Sequence, residues 1–283
     1  MKRELVTKME LLPGVWGIYT SAVMMYLVVG EERAVLIDTA YGFIDPHEII
    51  REITPLPFDV VVSHGHFDHV GGVFWFSEEN VYIHEADMSV YKVHGSPEYR
   101  KKAVDTLRKL QRLLFFMRWK LVPKKLDVEI YCNRKFHDFC FIKEGDCFAL
   151  GGCNVKIVEF PGHTPGSIGI WIPEKQLIIV SDAANPVVWL FLPESMKLSV
   201  YCESLKKIEK MDFSYILTGH SQKLFTRSDV RAWLEVAQDL DFEHGKKVKN
   251  EFNPGVEVRK CYKRGSTRKD KNRPFIKISK DKL

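Results

Sequence analysis

The sequence predicts an α/β sandwich in which strands and helices occur in blocks. Strands are indicated over residues 15–84, an amphipathic helix over 96–121, strands again from about 139 to 181, and helices around a further strand over 201–244. Runs of strands followed by runs of helices favour packed mixed layers over a strictly alternating parallel-sheet fold. The 283 residues are enough for a large core, and the 12% aromatic content excludes a disordered chain.

The N-terminal part begins with short strands and one short helix. The run FDVVVS at 58–63 is apolar almost throughout and is bounded by Pro57 and His64, which suits a buried central strand. A turn at 30–33 joins two strands as a hairpin. The predicted elements are strands at 15–20, 24–29, 34–37, 58–63 and 81–84, and a helix at 45–52.

The middle of the chain carries a helical pattern. Apolar residues recur at spacings of three and four between Ala103 and Leu121, and Ser96 and Pro97 form a suitable N-terminus. Strands are then predicted near 139 and at 147–150, 155–160, 167–172, 177–181 and 215–218, and helices at 201–210 and 228–244. The last residues, 245–283, are polar and basic and show little pattern.

Positive charge is concentrated in two blocks. The formal charge is +5, but residues 100–125 hold ten Lys/Arg against one Asp, and residues 259–283 hold eleven against two. Each block is therefore +9, and the rest of the chain is −13. The first block either flanks an anionic substrate or is the solvated face of a packed helix. The tail binds nucleic acid, forms edge strands protected by charge, or is only a solvated charged segment.

Two features bear on the compartment. No run approaches the 20 apolar residues that a membrane-spanning helix needs, and the N-terminus lacks the apolar core of a signal peptide. The six cysteines show no CxxC pair and no zinc-finger spacing. We therefore expect free thiols in a cytoplasmic protein without a transmembrane segment.

A cluster of metal-binding residue types directly follows the buried strand at 58–63. Three histidines and one aspartate lie within six residues, and these donors suit a divalent cation such as zinc. His64 and His66 lie two apart on an extended segment, so they project to the same side and can share one ion. Asp68 and His69 follow as the chain turns and can address a second ion nearby. The segment therefore predicts a two-metal site.

The pattern His-x-His-x-Asp-His after an apolar strand resembles the signature of the metallo-β-lactamase fold superfamily. Four further segments match motifs of this family in the same order, and the resemblance covers about residues 12–240. These segments are 36–39 (LIDT), 161–167 (PGHTPGS), 181–183 (SDA) and 218–220 (TGH). The resemblance implies a four-layered αβ/βα sandwich of two mixed β-sheets flanked by helices, with the metals at the edge where the sheets meet.

The resemblance also implies two divalent metal ions as cofactors and assigns their ligands by position. Zinc is favoured, and iron or manganese also suit these donors. The first ion would be held by His64, His66 and His163. The second ion would be held by Asp68, His69 and His220, and Asp182 would bridge both ions.

The chemistry of such a centre is hydrolysis. Two ions that share a water lower its pKa toward 7, and the bridging hydroxide attacks a carbonyl or phosphorus. Asp68 and Asp182 would act in catalysis first as ligands, with any proton transfer secondary. The presence of Asp182 resembles the glyoxalase II-type thioesterases, the lactonases and the tRNA 3′-processing nucleases rather than true β-lactamases. Among these, the favoured reaction is cleavage of an ester-like bond, a thioester or a lactone. A phosphodiesterase acting on RNA and a β-lactamase-like amidase are the alternatives.

The predicted organisation is a hydrolase domain over 1–245, with a helical insertion at about 85–136, and a basic C-terminal extension over 246–283. The insertion contains the apolar run LLFFMRW at 113–119 within a basic block. It is expected to select a small-molecule substrate with an acyl or anionic group, or to form a homodimer contact. Aromatic residues near the motif ends could line the pocket or pack in the core: Tyr41, Phe67, Trp75 and Trp189.

Overall fold

A computed structural model describes residues 6–113, 120–250, 255–266 and 273–283 of the chain. Strands and helices are numbered below in chain order. In these ranges no helix combines the length and the apolar character needed to cross a membrane. The six cysteines all lie within them, and none forms a disulfide.

The first sheet has seven strands, which lie side by side in the order of the sequence. They are β1 (Val6–Leu12), β2 (Val15–Thr20), β3 (Val23–Val29), β4 (Ala34–Ile37), β5 (Phe58–Val61), β6 (Val81–His84) and β7 (Cys140–Ile142). The first four strands are antiparallel, and β5, β6 and β7 add in parallel. The apolar run predicted as a buried central strand is β5, which lies between β4 and β6.

The second sheet has five strands and packs face to face on the first. Its strands are β8 (Cys147–Ala149), β9 (Asn154–Glu159), β10 (Ile168–Ile172), β11 (Leu177–Ser181) and β13 (Tyr215–Thr218). The spatial order is β13-β11-β10-β9-β8, with β11 and β13 parallel. Apolar side chains of both sheets, such as Val28 and Ile37 of the first and Ile170 and Ile179 of the second, share one buried core.

The described residues contain seven α-helices, including those that cover the outer faces of both sheets. They are α1 (His47–Arg51), α2 (Phe67–Val70), α3 (Met88–His94), α4 (Pro97–Leu113), α5 (Val128–Cys132), α6 (Leu198–Lys210) and α7 (Arg227–Gln238). Ile50 of α1 and Tyr91 of α3 pack on the first sheet, and Leu205 of α6 and Trp233 of α7 pack on the second. The predicted order of layers, helix–sheet–sheet–helix, is confirmed.

The insertion after β6 contains α3, α4 and α5. The prediction of one helix as far as Leu121 is wrong at its C-terminal end, because the backbone N–H groups of Leu121 and Val122 donate to Gln111 Oε1, at 2.7 and 2.9 Å. This polar side chain of α4 thus binds a returning, non-helical segment. Most of the apolar run at 113–119 lies outside the described residues. The homodimer contact expected of this insertion stays a prediction.

The C-terminal segment forms a third sheet together with one earlier strand. Strands were one of three alternatives that the sequence left open for this segment. The strands of the third sheet are β12 (Val187–Leu190), β14 (Lys246–Val248), β15 (Val258–Cys261) and β16 (Phe275–Ser279), in the order β12-β16-β15-β14. Cys261, Ile276 and Ile278 are buried against α6 and α7. The basic extension therefore contributes apolar side chains to the core of the second half of the molecule.

Candidate metal centre

The seven predicted ligands converge where the two large sheets meet. The segment 64–69 follows β5 and enters α2, and His163 lies in the loop between β9 and β10. Asp182 directly follows β11, and His220 lies two residues after β13. Because strand ends from both sheets meet at this edge, residues as much as 156 positions apart in the chain become neighbours.

The donor atoms include two groups that share no residue. The donors of His64, His66 and His163 lie within 4.8 Å of one another, and so do those of Asp68, His69 and His220. Within the first group, His64 Nε2 and His66 Nδ1 are 3.1 Å apart. The grouping is the one that the sequence motifs assign to the first and the second ion.

Asp182 lies between the two groups. Its Oδ2 atom is 3.0 Å from His220 Nε2 and 3.7 Å from His69 Nε2, both in the second group. The same oxygen is 3.8 Å from His163 Nε2 in the first group. This carboxylate oxygen therefore faces donors of both groups, as a bridging ligand would.

Each of the five imidazoles predicted as metal ligands has one nitrogen in a hydrogen bond within the protein. The pairs are His64 Nδ1 with Ser63 Oγ (3.0 Å), His66 Nε2 with Glu194 Oε1 (2.7 Å), His69 Nδ1 with Asp38 Oδ2 (2.8 Å), His163 Nδ1 with the Trp189 carbonyl (3.0 Å) and His220 Nδ1 with the Ala22 carbonyl (2.9 Å). Such outer contacts fix the orientation of metal-binding histidines. The Nε2 atoms of His69 and His163 are buried without a hydrogen-bond partner in the described residues, so a metal ion fits this donor set.

Burial keeps two of these imidazoles neutral. Burial and the neighbouring His66 lower the pKa of His163 to about 4. Burial, together with the adjacent imidazoles, holds the pKa of His64 well below its usual value. A metal-binding imidazole has to be deprotonated at the donor nitrogen, so both residues are poised as ligands at neutral pH.

The backbone around the centre adopts unusual conformations that side-chain contacts support. Asp38 directly follows β4, and Ser181 is the last residue of β11. Their φ values of 63° and 48° lie in the left-handed region. The Ser181 hydroxyl donates to Asp38 Oδ2 at 2.8 Å and so joins the two strand ends. Gly219 has no room for a side chain, since a Cβ there would lie 2.5 Å from Asp182 Oδ1 and 2.8 Å from His69 Cε1.

Comparison with known proteins agrees with the site. The sequence profile described as the metallo-beta-lactamase superfamily matches residues 18–220, which contain all seven ligand positions. The chain belongs to the metallo-β-lactamase superfamily. The predicted fold, family and hydrolytic class of enzyme are thereby confirmed.

Individual members of the superfamily are distant from this chain. The acyl-coenzyme A thioesterase MBLAC2 of Gallus gallus is 24% identical over 211 residues, which are 69% of this chain and 71% of that protein. Hydroxyacylglutathione hydrolase GloC of Haemophilus influenzae is 27% identical over 156 residues, which are 54% of this chain and 61% of that one. The structure of a metallo-beta-lactamase from Pontibacter korlensis aligns with 83% of this chain and 99% of its own at a TM-score of 0.56 and 16% identity, and therefore supports the fold alone.

A buried carboxylate that no motif indicated ties together two ligand loops of this superfamily member. Asp87, after β6, accepts hydrogen bonds from the backbone N–H of Gly65 at 2.7 Å and of Gly166 at 2.6 Å. It also accepts one from the Thr164 hydroxyl at 2.7 Å. The loops that carry His64 and His163 are therefore held in one fixed relation. The only sequence signal was a polar residue shortly after a buried strand.

Sequence reasoning also missed His94 and Glu194, which support His66. The His94 ring stacks on that of His66 with centroids 4.6 Å apart, and its Nε2 is 3.1 Å from Glu194 Oε1. Burial raises the pKa of Glu194, but hydrogen bonds to His66 and His94 outweigh burial and hold this pKa well below its usual value. An ionised Glu194 therefore orients the outer nitrogen of His66. No motif marks it, because 128 residues separate the pair.

A cavity of about 460 Å³ opens onto the predicted metal ligands. One wall is the inner face of α4, with Tyr99, Ala103 and Leu107, and the opposite wall contains Val187 and Trp189 of β12. Three of the four aromatic residues predicted near the motif ends line it, namely Tyr41, Phe67 and Trp189. The fourth, Trp75, packs elsewhere and donates from Nε1 to the Gly42 carbonyl at 3.0 Å.

Proposed function

We propose that this protein is a dinuclear metal-dependent thioesterase that hydrolyses acyl thioesters. The observation that carries the proposal is the largely apolar cavity between α4 and β12, which ends at the cluster of seven ligand side chains. Its volume lies in the range typical of small-molecule sites, about 300–1,000 Å³. The names of the two curated relatives, a thioesterase for acyl-coenzyme A and a hydrolase for acylglutathione, support the same bond class.

The proposed ligands of the first ion are His64, His66 and His163. The second ion would be held by Asp68, His69 and His220, and Asp182 would bridge the two. Zinc is the favoured metal, and iron or manganese fit the same donors. When bound, the ions supply Lewis acidity toward the substrate carbonyl and an activated water at neutral pH.

The residues of the chain hold and orient the substrate around this chemistry. The apolar walls exclude bulk water from the acyl group, which strengthens electrostatic contacts at the reacting carbonyl. Asn185 lines the cavity, and its Nδ2 is 3.5 Å from Asp182 Oδ1. This amide therefore provides a donor beside the bridging carboxylate, where it can orient a carbonyl oxygen. Asp68 and Asp182 serve as ligands, and proton transfer by either of them is a secondary role.

The residues that line the cavity make the nuclease alternative less favoured than the thioesterase. Lys102 is the one lysine or arginine among the described lining residues, and the walls offer apolar rather than phosphate-binding groups. A lactone presents the same ester-like carbonyl as a thioester and remains within the proposal. A cytoplasmic location stays a prediction.

Four substrate classes assayed with the purified protein, together with its metal content, test the proposal. Acyl-coenzyme A, an acyl-homoserine lactone, nitrocefin and bis(p-nitrophenyl) phosphate represent thioester, lactone, β-lactam and phosphodiester cleavage. We expect thioester hydrolysis to dominate, close to two metal ions per chain, and loss of activity on chelation. Dominant phosphodiester or β-lactam cleavage would refute the proposal.

A further inference from the structure

A row of lysines crosses the third sheet at one register position. Lys246 of β14 lies opposite Lys260 of β15, which lies opposite Lys277 of β16, which in turn lies opposite Trp189 of β12. Residues paired in this way project from the same face of a sheet. Three ammonium groups therefore lie on one face in a line that ends at a tryptophan. This set of three lysines is called the lysine row below.

Like charges directly opposite one another destabilise a sheet, so the lysine row calls for an explanation. No salt bridge to Lys260 or Lys277 is found among the described residues. Burial and the charge of Lys260 together lower the pKa of Lys277. The next register position differs, because Lys247 and Arg259 both pair with Glu257. The same sheet therefore provides an acid for one pair of cations, whereas no described acid forms a salt bridge with Lys260 or Lys277.

Aromatic rings lie beside Lys260 and beside a further cation, Arg273. Lys260 Nζ is 3.7 Å from the centroid of the Phe275 ring, and the rings of Phe275 and Tyr262 have centroids 5.6 Å apart. The guanidinium of Arg273 lies 3.7 Å from the centroid of Tyr262. Flat aromatic surfaces next to cations suit a ligand that combines a heterocyclic base with phosphate groups.

The lysine row is continuous with the proposed substrate cavity. Lys277 Nζ lies 4.6 Å from the centroid of the Trp189 ring, and Trp189 lines the cavity that ends at the metal-binding residues. The row extends from there over three strand spacings at most, about 14 Å. A ligand with its reacting group in the cavity can therefore reach the lysines with a charged tail of modest length.

We propose that the lysine row binds the phosphates of a nucleotide-borne acyl thioester, of the coenzyme A type, while the acyl chain occupies the cavity. The inference rests on the proposed thioesterase function and adds the carrier that the enzyme recognises. Charge complementarity favours this occupant, because an acyl chain alone gains nothing from the cations, whereas phosphates gain charge-assisted hydrogen bonds. The short row suits one compact polyanion better than a nucleic acid strand, which would track a longer basic groove.

The kinetic test compares two substrates that share an acyl group and differ in phosphates. Acyl-coenzyme A and the corresponding acyl-pantetheine are assayed with the wild type and with a Lys260→Met/Lys277→Met variant, which keeps the apolar stems on the rings and removes the charges. We expect the ratio of kcat/KM for acyl-coenzyme A to that for acyl-pantetheine to fall at least about tenfold. Lys247→Met, on the same sheet but paired with Glu257, is the matched control and should keep the wild-type ratio.

A binding measurement makes the inference independent of turnover. Calorimetric titration with 3′-phosphoadenosine 5′-diphosphate should give binding to the wild type and to Lys247→Met, and at least tenfold weaker binding to the double variant. If the double variant unfolds at a lower temperature than the wild type, the single variant Lys260→Met replaces it. The single variant should lose part of the affinity for the nucleotide. Equal affinities for all variants would overturn the inference even if thioesters are hydrolysed.

The remaining outcomes separate this inference from the proposed function. If no thioester is hydrolysed but the nucleotide binds through the lysines, the thioesterase proposal fails and the anion site stands. If inorganic pyrophosphate competes for the site as strongly as the nucleotide does, the lysine row binds phosphates without recognising the nucleotide. The inference is then wrong. Tighter, lysine-dependent binding of a single-stranded oligonucleotide would likewise overturn it in favour of a nucleic-acid surface.

Discussion

The metal centre and the lysine row differ in whether their polar groups have partners within the protein. At the metal centre, each ligand imidazole has a protein acceptor or hydroxyl on its outer nitrogen, and Asp38 and Asp87 each tie two segments together. On the third sheet, Lys260 and Lys277 lie opposite each other, and no acid of the described residues forms a salt bridge with either one. Internal partners fix groups that have to be rigid, whereas charges left free of acids beside a cavity are available to a ligand. The difference separates the part that performs chemistry from the part that selects the substrate.

The sharpest test of the metal centre is Asp182→Ala. Because Asp182 Oδ2 faces donors of both groups, its loss should lower metal content toward one ion per chain and turnover by about 10³-fold, which corresponds to about 4 kcal/mol. Elemental analysis and thioester hydrolysis measure the two effects. Asp212→Ala, at an exposed position, is the control and should match the wild type. Unchanged metal content and rate in the first variant would remove Asp182 from the bridging role.

Ile278→Ala tests whether the third sheet contributes to the stability of the folded core. Ile278 is fully buried with side chains of α6 and α7, so truncation should lower the free energy of unfolding by about 2–5 kcal/mol. Denaturant unfolding gives this value, with the exposed Lys280→Ala as the control. A change in the free energy of unfolding no larger than that of the control would mean that the third sheet does not stabilise the core. By the same reasoning, removal of all residues after Arg259 should destabilise the fold rather than trim a loose tail.

Glu194→Ala tests the outer support of His66. Loss of a hydrogen-bond partner on a ligand imidazole typically costs about 10–100-fold in metal affinity, and this range is expected here. Competition with a chelator measures the affinity, and Glu194→Gln should recover part of it because its amide oxygen can still accept from His66. Glu203→Gln, an exposed position on α6, is the control. Unaltered affinity in the alanine variant would leave Glu194 as a packing residue only.

Ala103→Trp tests the cavity wall and should have the smallest effect. A large side chain on the inner face of α4 shortens the cavity, so the ratio of kcat/KM for long-chain over short-chain acyl thioesters should fall about tenfold. Lys101→Trp places the same side chain on the exposed part of α4 and should keep the wild-type ratio. Equal chain-length profiles for both variants would show that the acyl group does not lie along α4.

Much of the fold and of the ligand set could be predicted because the signals are local. The strands β2, β4, β6, β11 and β13 were predicted with the bounds that the structure has. Strand ends carry the ligand motifs, so placing the strands also placed the ligands. The third sheet was harder to predict, since strands of three to five residues interleaved with lysine give only a weak alternating pattern.

By itself, the sequence determined the layered fold and which side chains are proposed as the metal-binding set, because both depend on short segments with a fixed spacing. The tertiary structure alone decided what surrounds that set. Glu194 meets His66 across 128 residues, and Lys277 meets Trp189 across 88. Such contacts arise only when separate strands and loops pack at one edge, and no local spacing encodes them. For this reason the chemistry could be inferred from motifs, whereas the lysine row beside the cavity required the folded chain.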